Sequence, residues 1–326
     1  MHQCEKGPRL LADVGGTNAR FGWQRAPGEP IEHVQVLPCA EFPSLKAAIE
    51  SYVARAAVPR PLHAAVAIAN PVCGDTVRMT NHHWSFSIEQ LRQALGLQRL
   101  LVLNDFTALA LALPGLPAAA LRPLGGGPAV AGAAVGLIGP GTGLGVSGLV
   151  PDGQGGWIPL EGEGGHVTLA ATTEREWCVV QALQRRYGHV SAERVLSGPG
   201  LRDLYAVLCE ADGVAAQADT PHAVVALAQQ RQDARAREAV QLFSAWLGSC
   251  AGNLALTLGA RGGVYIGGGV VQRLGDVFDE AAFRERFEAK GRFAAYLATI
   301  PVWVIMADPS PALAGAAAAL DSARYR

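Results

Sequence analysis

Arg99-Leu100-Leu101-Val102-Leu103-Asn104-Asp105-Phe106-Thr107-Ala108-Leu109-Ala110-Leu111-Ala112-Leu113-Pro114 decides how the rest of the chain is read. Leu100 to Leu103 is an unbroken apolar run that includes Val102, which suits a short buried strand. Thr107 to Leu113 is rich in Ala and Leu and suits a packed helix stopped by Pro114. Asn104 and Asp105 therefore sit where a strand hands over to a helix. In open α/β sheets ligands bind just beyond the carboxyl ends of strands, so Asp105 can point into a cleft from a rigid base. The competing reading is that Asp105 only caps the helix, a position Asp and Asn favour.

Upstream, Leu10 to Ala12 is a short apolar strand running into Asp13-Val14-Gly15-Gly16-Thr17-Asn18-Ala19-Arg20. Paired glycines between apolar runs predict a hairpin turn, and bare backbone with a threonine hydroxyl can receive an anion such as phosphate. Ser44 to Ala57 reads as an amphipathic helix and Ala64 to Ile68 as a second buried strand. Gly74 to Thr80 and Trp84 to Phe86 read as extended, with Asn81-His82-His83 as a loop rather than a metal site, since no third ligand is near. Ser87-Ile88-Glu89-Gln90 opens a helix in the manner of a capping box. Helices between apolar strands make this half α/β.

Downstream, Pro114 to Pro128 is rich in Pro, Gly and Ala without a period, and a domain boundary is expected there. Ala129 to Ile138 reads as a strand, followed by the turn Gly139-Pro140-Gly141-Thr142-Gly143-Leu144-Gly145 and another strand. This repeats the first pattern of strand, Gly-rich turn with Thr, and strand, and suggests an internal duplication that clamps a ligand. Gly143 to Gly148 matches GxGxxG, but a dinucleotide fingerprint needs a helix next, and Val146 to Pro151 reads as strand. No GxxxxGK[ST] is present. Glu161-Gly162-Glu163-Gly164-Gly165-His166 gathers carboxylates and an imidazole in a Gly-rich loop able to bind sugar hydroxyls, or else a plain solvated loop. Thr173 to Tyr187 and Leu201 to Glu210 read as helical, Glu193 follows an expected N-cap, and helices run from Pro221 through Ala260. Gly263 to Ile266 is a strand that Gly267-Gly268-Gly269 leaves, giving a flat base room to lie, or else a loose loop. Pro301 to Met306 is a last strand and Ala312 to Ala323 a terminal helix.

The 326 residues are 50% hydrophobic and 17% charged, enough for a sizeable core in one large or two ordinary domains. A net charge of -1 argues against nucleic-acid binding, which needs a basic face. The six cysteines, at 4, 39, 73, 178, 209 and 250, form no CxxC or Cys/His cluster, which disfavours zinc and suggests a reducing compartment. The polar N-terminus lacks a signal peptide's apolar core. Ala239 to Ala260 is uncharged, yet Gln241, Ser244, Ser249, Asn253 and Thr257 make it a buried helix rather than a membrane span, with Ala245, Gly248 and Gly252 allowing close packing.

Taken in order, Asp13 to Arg20, Asn104 to Ala108, Gly139 to Gly145, Gly162 to His166, Ser191 to Gly200 and Gly267 to Gly269 resemble the motifs of bacterial glucokinases, as do Met79 to His82 and Glu288 to Phe293. The resemblance spans nearly the whole chain. It implies an α/β actin/hexokinase-like (ribonuclease H-like) two-domain fold with an active-site cleft, in which residues 1–115 with 306–326 form a small domain and 116–305 a large one. It implies transfer of a phosphoryl group from ATP to the 6-hydroxyl of glucose, with Asp105 as catalytic base and Asn104, Asp105, Glu163, His166 and Glu193 as sugar ligands. Ala12, Asp13, Val14, Gly15, Gly16 and Thr17 match the first phosphate-binding hairpin. Gly139, Gly141, Thr142 and Gly143 match the second, and Gly267, Gly268 and Gly269 the adenosine segment. Asp13 matches the acid that holds Mg²⁺ through water. The resemblance further implies a homodimer, while composition suggests a cytoplasmic chain that binds neither nucleic acid nor membrane. Water would also fit such a cleft and be phosphorylated wastefully, so closure of the domains on sugar is expected.

Two departures stand out. The segment after His166 has only Cys178, unlike the Cys-rich zinc branch of related sugar kinases, and Asn70 stands where a smaller residue or Cys is expected, with little consequence anticipated. Two alternatives remain: another hexose or amino-sugar kinase of the same fold, or a sugar-sensing regulator. For the regulator, the nine residues before the first strand leave no room for a helix-turn-helix.

Overall fold

A computed structural model describes residues 7–80, 82–231, 233–307 and 311–325, so Cys4 and Asn81 lie outside the described residues. The first elements in chain order are β1 (Arg9–Val14), β2 (Asn18–Gln24), β3 (Ile31–Pro38), α1 (Leu45–Ala56), β4 (His63–Ile68), β5 (Thr76–Arg78), β6 (Ser85–Ser87), α2 (Ile88–Leu95), β7 (Arg99–Asn104) and α3 (Asp105–Ala112). They are followed by β8 (Leu121–Pro123), β9 (Val135–Pro140), β10 (Leu144–Pro151), β11 (Trp157–Pro159), α4 (Glu174–Tyr187), α5 (Gly198–Ala211), α6 (Pro221–Gln229) and α7 (Ala234–Leu258). The chain ends with β12 (Val264–Ile266), α8 (Gly269–Leu274), α9 (Glu280–Glu288), α10 (Ala294–Ala298), β13 (Val302–Ile305) and α11 (Ala312–Asp321). Two units emerge: Met1–Pro117 with Asp152–Glu161 and Ala307–Arg326, and Ala118–Pro151 with Gly162–Met306.

In the first unit the sheet order is β3-β2-β1-β4-β7. β1 runs antiparallel to β2 and parallel to β4, and β4 runs parallel to β7. All six residues of β4 are buried, as a strand flanked on both sides requires. Ser44 caps α1 by accepting from Ala47 N, and Ser87 caps α2 by accepting from Gln90 N, both where the sequence marked a helix start. On one face of the sheet α3 packs against α11. Their approach is so close that a Cβ on Gly315 would lie 2.5 Å from the carbonyl carbon of Ala108. Arg9, buried in β1, donates to Asp321 Oδ1 on α11 at 2.7 Å, which ties the C-terminal helix to this sheet.

The second sheet is ordered β11-β10-β9-β12-β13-β8. β9 is antiparallel to β10 and parallel to β12, which is parallel to β13. The run of an antiparallel hairpin and two parallel strands thus occurs twice, as the repeated Gly-rich turn suggested. β10 continues through Val146 as strand, so GxGxxG here opens no helix. The expected strand from Ala129 begins only at Val135, because Gly132 takes a positive φ of 70° and a turn closes from Ala133 N to Val130 O. α7 is the one helix among the described residues long and apolar enough to cross a membrane, and 61% of its apolar window is buried inside the protein. Its Ala245 is buried, and Cβ atoms on Gly248 and Gly252 would meet Phe283 C at 2.9 Å and Phe287 O at 2.5 Å, so these small residues admit α9. From α9, Arg286 Nη1 donates at 2.6 Å to Oε1 of the fully buried Glu176 on α4.

Candidate active site

Asn104, rather than Asp105, caps α3. It has extended backbone angles, and its Oδ1 accepts from Phe106 N at 2.9 Å and Thr107 N at 3.2 Å. The side-chain amide of Asn104 donates to Asn70 O at 3.4 Å, which holds the end of β7 to the end of β4. Asp105 is the first helical residue, half-buried, and its Oδ1 also accepts from Phe106 N at 2.9 Å. The reading of Asp105 as the plain N-cap is therefore corrected: Asn104 takes that role, because it accepts from the amides of both Phe106 and Thr107.

Asn70 has more work than its sequence reading anticipated. Its Oδ1 accepts from Thr80 N at 3.0 Å and Thr80 Oγ1 at 2.6 Å, so it joins β4, β7 and the segment after β5. No periodicity or motif announces such a bond. His82 and His83 occupy a bend, their ring centroids 4.2 Å apart, with His82 edge-on to Trp84.

The first Gly-rich turn closes β1 onto β2 by a bond from Gly15 N to Asn18 O at 2.9 Å, and Thr17 O accepts from Cys39 N at 2.8 Å. The N–H groups of Gly16 and Thr17 take no part in these bonds. Gly15 has no positive φ, and a Cβ there would meet only Asn18 O at 3.5 Å. The fold itself does not demand glycine at 15. Ala12 and Val14 are buried in β1, while Asp13 between them is half-buried and faces Arg20, whose Nη1 lies 3.3 Å from Asp13 Oδ2. Burial pushes the Asp13 carboxyl above its usual value, with Arg20 opposing.

In the second unit four segments converge. Gly139 and Pro140 end β9, and the turn through Gly141, Thr142 and Gly143 closes with a bond from Gly141 N to Gly143 O at 2.8 Å. Leu144 N donates to Glu193 Oε2 at 2.8 Å, and Gly198 N donates to Gly141 O at 2.9 Å, so the loop carrying Glu193 is fastened to this turn. A Cβ on Gly143 would overlap Glu193 Oε2 and lie 3.3 Å from its Cδ. Gly165, in the short 3₁₀ turn Gly164–His166, packs so that a Cβ would sit 3.0 Å from Leu144 C. That turn leaves Glu163 and His166 exposed, with His166 N bonded to Glu163 O at 3.0 Å. Gly267 N donates to Ile138 O at 2.9 Å, Gly268 adopts a φ of 74° at the N-cap of α8, and Gly269 is its first residue. A Cβ on Gly268 would lie 2.7 Å from Pro140 C, so β9 by itself accounts for glycine there. Sequence reasoning found these segments separately. It missed that Gly143 and the Leu144 amide set the position of Glu193, which depends on two loops about fifty residues apart.

The second unit presents bare backbone turns, carboxylates and an imidazole, and the first unit a bare turn, two carboxylates and the side-chain amide of Asn104. Neither has a direct cage for a metal: among the described residues no group of three His, Cys, Asp or Glu could hold one.

The chain is 56% identical over 316 residues to a glucokinase of Chromobacterium violaceum, covering 97% of this chain and 90% of that relative. It is 55% identical over 318 residues to the bifunctional protein glk of Burkholderia pseudomallei, covering 98% of this chain but 49% of the relative, so the chain spans about half that protein's length. The crystal structure of a glucokinase from an Antarctic psychrotroph superposes with a TM-score of 0.86 at 36% identity, covering 96% of this chain and 98% of that one, which agrees with an α/β fold of two mixed sheets. A family model described as glucokinase matches residues 10–323, and by that match the chain belongs to the glucokinase family.

Proposed function

We propose that this protein transfers the terminal phosphoryl group of ATP to the 6-hydroxyl of D-glucose. What carries the reading is the 56% identity to a protein named glucokinase over 97% of this chain, together with a carboxylate at the strand-to-helix junction that the capping of α3 does not require.

A primary alcohol is a weak nucleophile. Asp105, held on the first turn of a buried helix, takes the proton of the 6-hydroxyl as the new P–O bond forms, an effect worth roughly 10²–10⁴-fold. Asn104, Glu163, His166 and Glu193 orient the sugar. The carboxylates accept from hydroxyls, and a neutral imidazole donates one hydrogen bond and accepts another. A sugar lacking a hydroxyl leaves an acceptor unpaired once its own bulk has displaced the water there, and is bound less well. The γ-phosphoryl oxygens gather charge during transfer, and backbone N–H groups stabilise it. Gly15, Gly16 and Thr17 supply one turn for this and Gly141, Thr142 and Gly143 the other, while Gly267 to Gly269 receive the adenosine.

Mg²⁺ fits the residues present in one way. Asp13 is a single, partly buried carboxylate whose charge burial disfavours, and Mg²⁺ is commonly held by one or two carboxylates plus substrate phosphates while keeping most of its water. Asp13 would hold the ion through water, and when bound it supplies positive charge to the β- and γ-phosphate oxygens. Asp13 and Arg20 hold the start of the first turn at Asp13↔Arg20 in the β1–β2 pairing.

A coupled assay of ADP formation with glucose, mannose and fructose tests the reading. Glucose is expected to have the highest kcat/KM with ATP as donor. No ADP formation with glucose overturns the reaction, and a higher kcat/KM for another sugar overturns the substrate.

A further inference from the structure

In the second unit a cavity of about 370 Å³ opens between α7, the β9–β10 hairpin and residues 164–172. This is within the range of small-molecule sites, roughly 300–1,000 Å³. Its walls are chiefly apolar, with Leu144, Val146, Leu169 and Trp246 among them, and Lys290 is the one charged side chain along them. Lys290 belongs to Glu288–Phe293, a stretch that the resemblance singled out and that phosphoryl transfer as described above does not use.

Lys290 Nζ donates to Ser249 O at 3.1 Å, and among the described residues no carboxylate pairs with it. Arg286, the cation that acts on it, is already committed to Glu176 and to Ser249 Oγ. Burial pushes the Lys290 ammonium below its usual value, with Cys250 opposing and Arg286 adding to the shift, as expected of a cation facing apolar walls without a carboxylate beside it. A sugar or nucleotide would leave its many polar groups unpaired against such walls. An apolar molecule ending in a carboxylate matches both the lining and the ammonium.

We propose that this cavity binds a small organic acid, its apolar body lying against Leu144, Val146, Leu169 and Trp246 and its carboxylate on Lys290 Nζ. The cavity shares Leu144 and the Gly164–His166 turn with the segments that carry Glu193 and His166, and its occupancy is read by binding, without turnover.

The test is calorimetric titration of the full chain with 4-phenylbutyrate and with the neutral 4-phenylbutanol, joined to hydrogen–deuterium exchange. The acid is expected to bind at least tenfold more tightly than the alcohol and to protect residues 144–146, 164–172 and 246–257. Lys290→Met, which keeps an unbranched apolar side chain and removes its charge, is expected to bring the acid down to the alcohol's affinity. Equal affinities of acid and alcohol for the wild-type chain, protection elsewhere, unchanged binding in Lys290→Met, or no binding at 10 mM overturns the proposal. Because the acid–alcohol comparison uses the wild-type chain, the proposal remains testable should Lys290→Met fail to fold.

Discussion

Replacing Gly143 by alanine puts a methyl group where Glu193 Oε2 now lies, with the new Cβ 3.3 Å from Glu193 Cδ. Gly143 has no positive φ, so alanine costs no backbone strain, and the effect must come from this overlap. The carboxylate has to retreat by about 1 Å to reach ordinary packing distance. Its bond to Leu144 N, now 2.8 Å, then stretches beyond hydrogen-bond range. A hydrogen bond to a charged group contributes about 1.5–3 kcal/mol, and each 1.4 kcal/mol is about tenfold. If Glu193 is a sugar ligand, glucose kcat/KM in Gly143→Ala should fall about 10- to 100-fold, mainly through KM. Gly141→Ala is the control, since in the same turn its Cβ would meet nothing nearer than Gly143 O at 4.0 Å. It should leave the glucose KM within about twofold of wild type. Adding Glu193→Asp to Gly143→Ala shortens the side chain by one methylene, relieves the overlap and should recover part of the loss. Steady-state kinetics with glucose varied at saturating ATP measures all three. A Gly143→Ala enzyme with unaltered glucose kcat/KM, or a Gly141→Ala enzyme equally impaired, refutes the reasoning.

Asp105→Ala should lose turnover by about 10²–10⁴-fold while still binding glucose by calorimetry; near-normal turnover removes Asp105 from the role of base. Glu193→Gln should raise the glucose KM more than Gly267→Ala does, and Gly267→Ala should act on the ATP KM; equal effects on both substrates contradict the division of roles. Gly315→Ala should lower the melting temperature, because crowding Ala108 costs about 1–3 kcal/mol and exceeds the roughly 1 kcal/mol that alanine gains in a helix; a raised melting temperature shows that α11 and α3 have room to spare. Burial of Glu176 raises its carboxyl pKa, but the bonds from Arg286 and Thr172 outweigh that and hold it below the usual 4.5. The stability it contributes is therefore present above about pH 4.5 and is lost as pH falls through the lowered value. Glu176→Gln should destabilise the chain by about 3 kcal/mol or more at pH 7, with a smaller difference from wild type in acid; a pH-independent difference on chemical denaturation counts against the ion pair.

Local pattern was enough for the elements that position the site. The apolar run Leu100 to Leu103 became β7, the Ala- and Leu-rich stretch after Asp105 became α3, and Ser44, Ser87 and Thr173 capped helices as hydroxyls before apolar periods do. The Gly-rich runs between apolar stretches marked both hairpins. Gly248 and Gly252 were legible as packing residues because their spacing places them on one helix face. These signals depend on neighbours a few residues apart, and a sequence records such neighbours directly.

What the tertiary structure alone decided involves partners distant along the chain. Asn104 took the cap that Asp105 was free to take, because its amide also reaches Asn70 at the end of another strand. Gly143 owes its missing side chain to Glu193, Gly268 to Pro140, and Gly315 to Ala108. Lys290 lines an apolar cavity while its neighbour Arg286 finds Glu176, a difference that composition cannot express. Steric exclusion and desolvation act between surfaces that meet only after the strands have paired. A residue's spacing can therefore predict its element, but its chemical role depends on which distant backbone comes within about 3 Å of it.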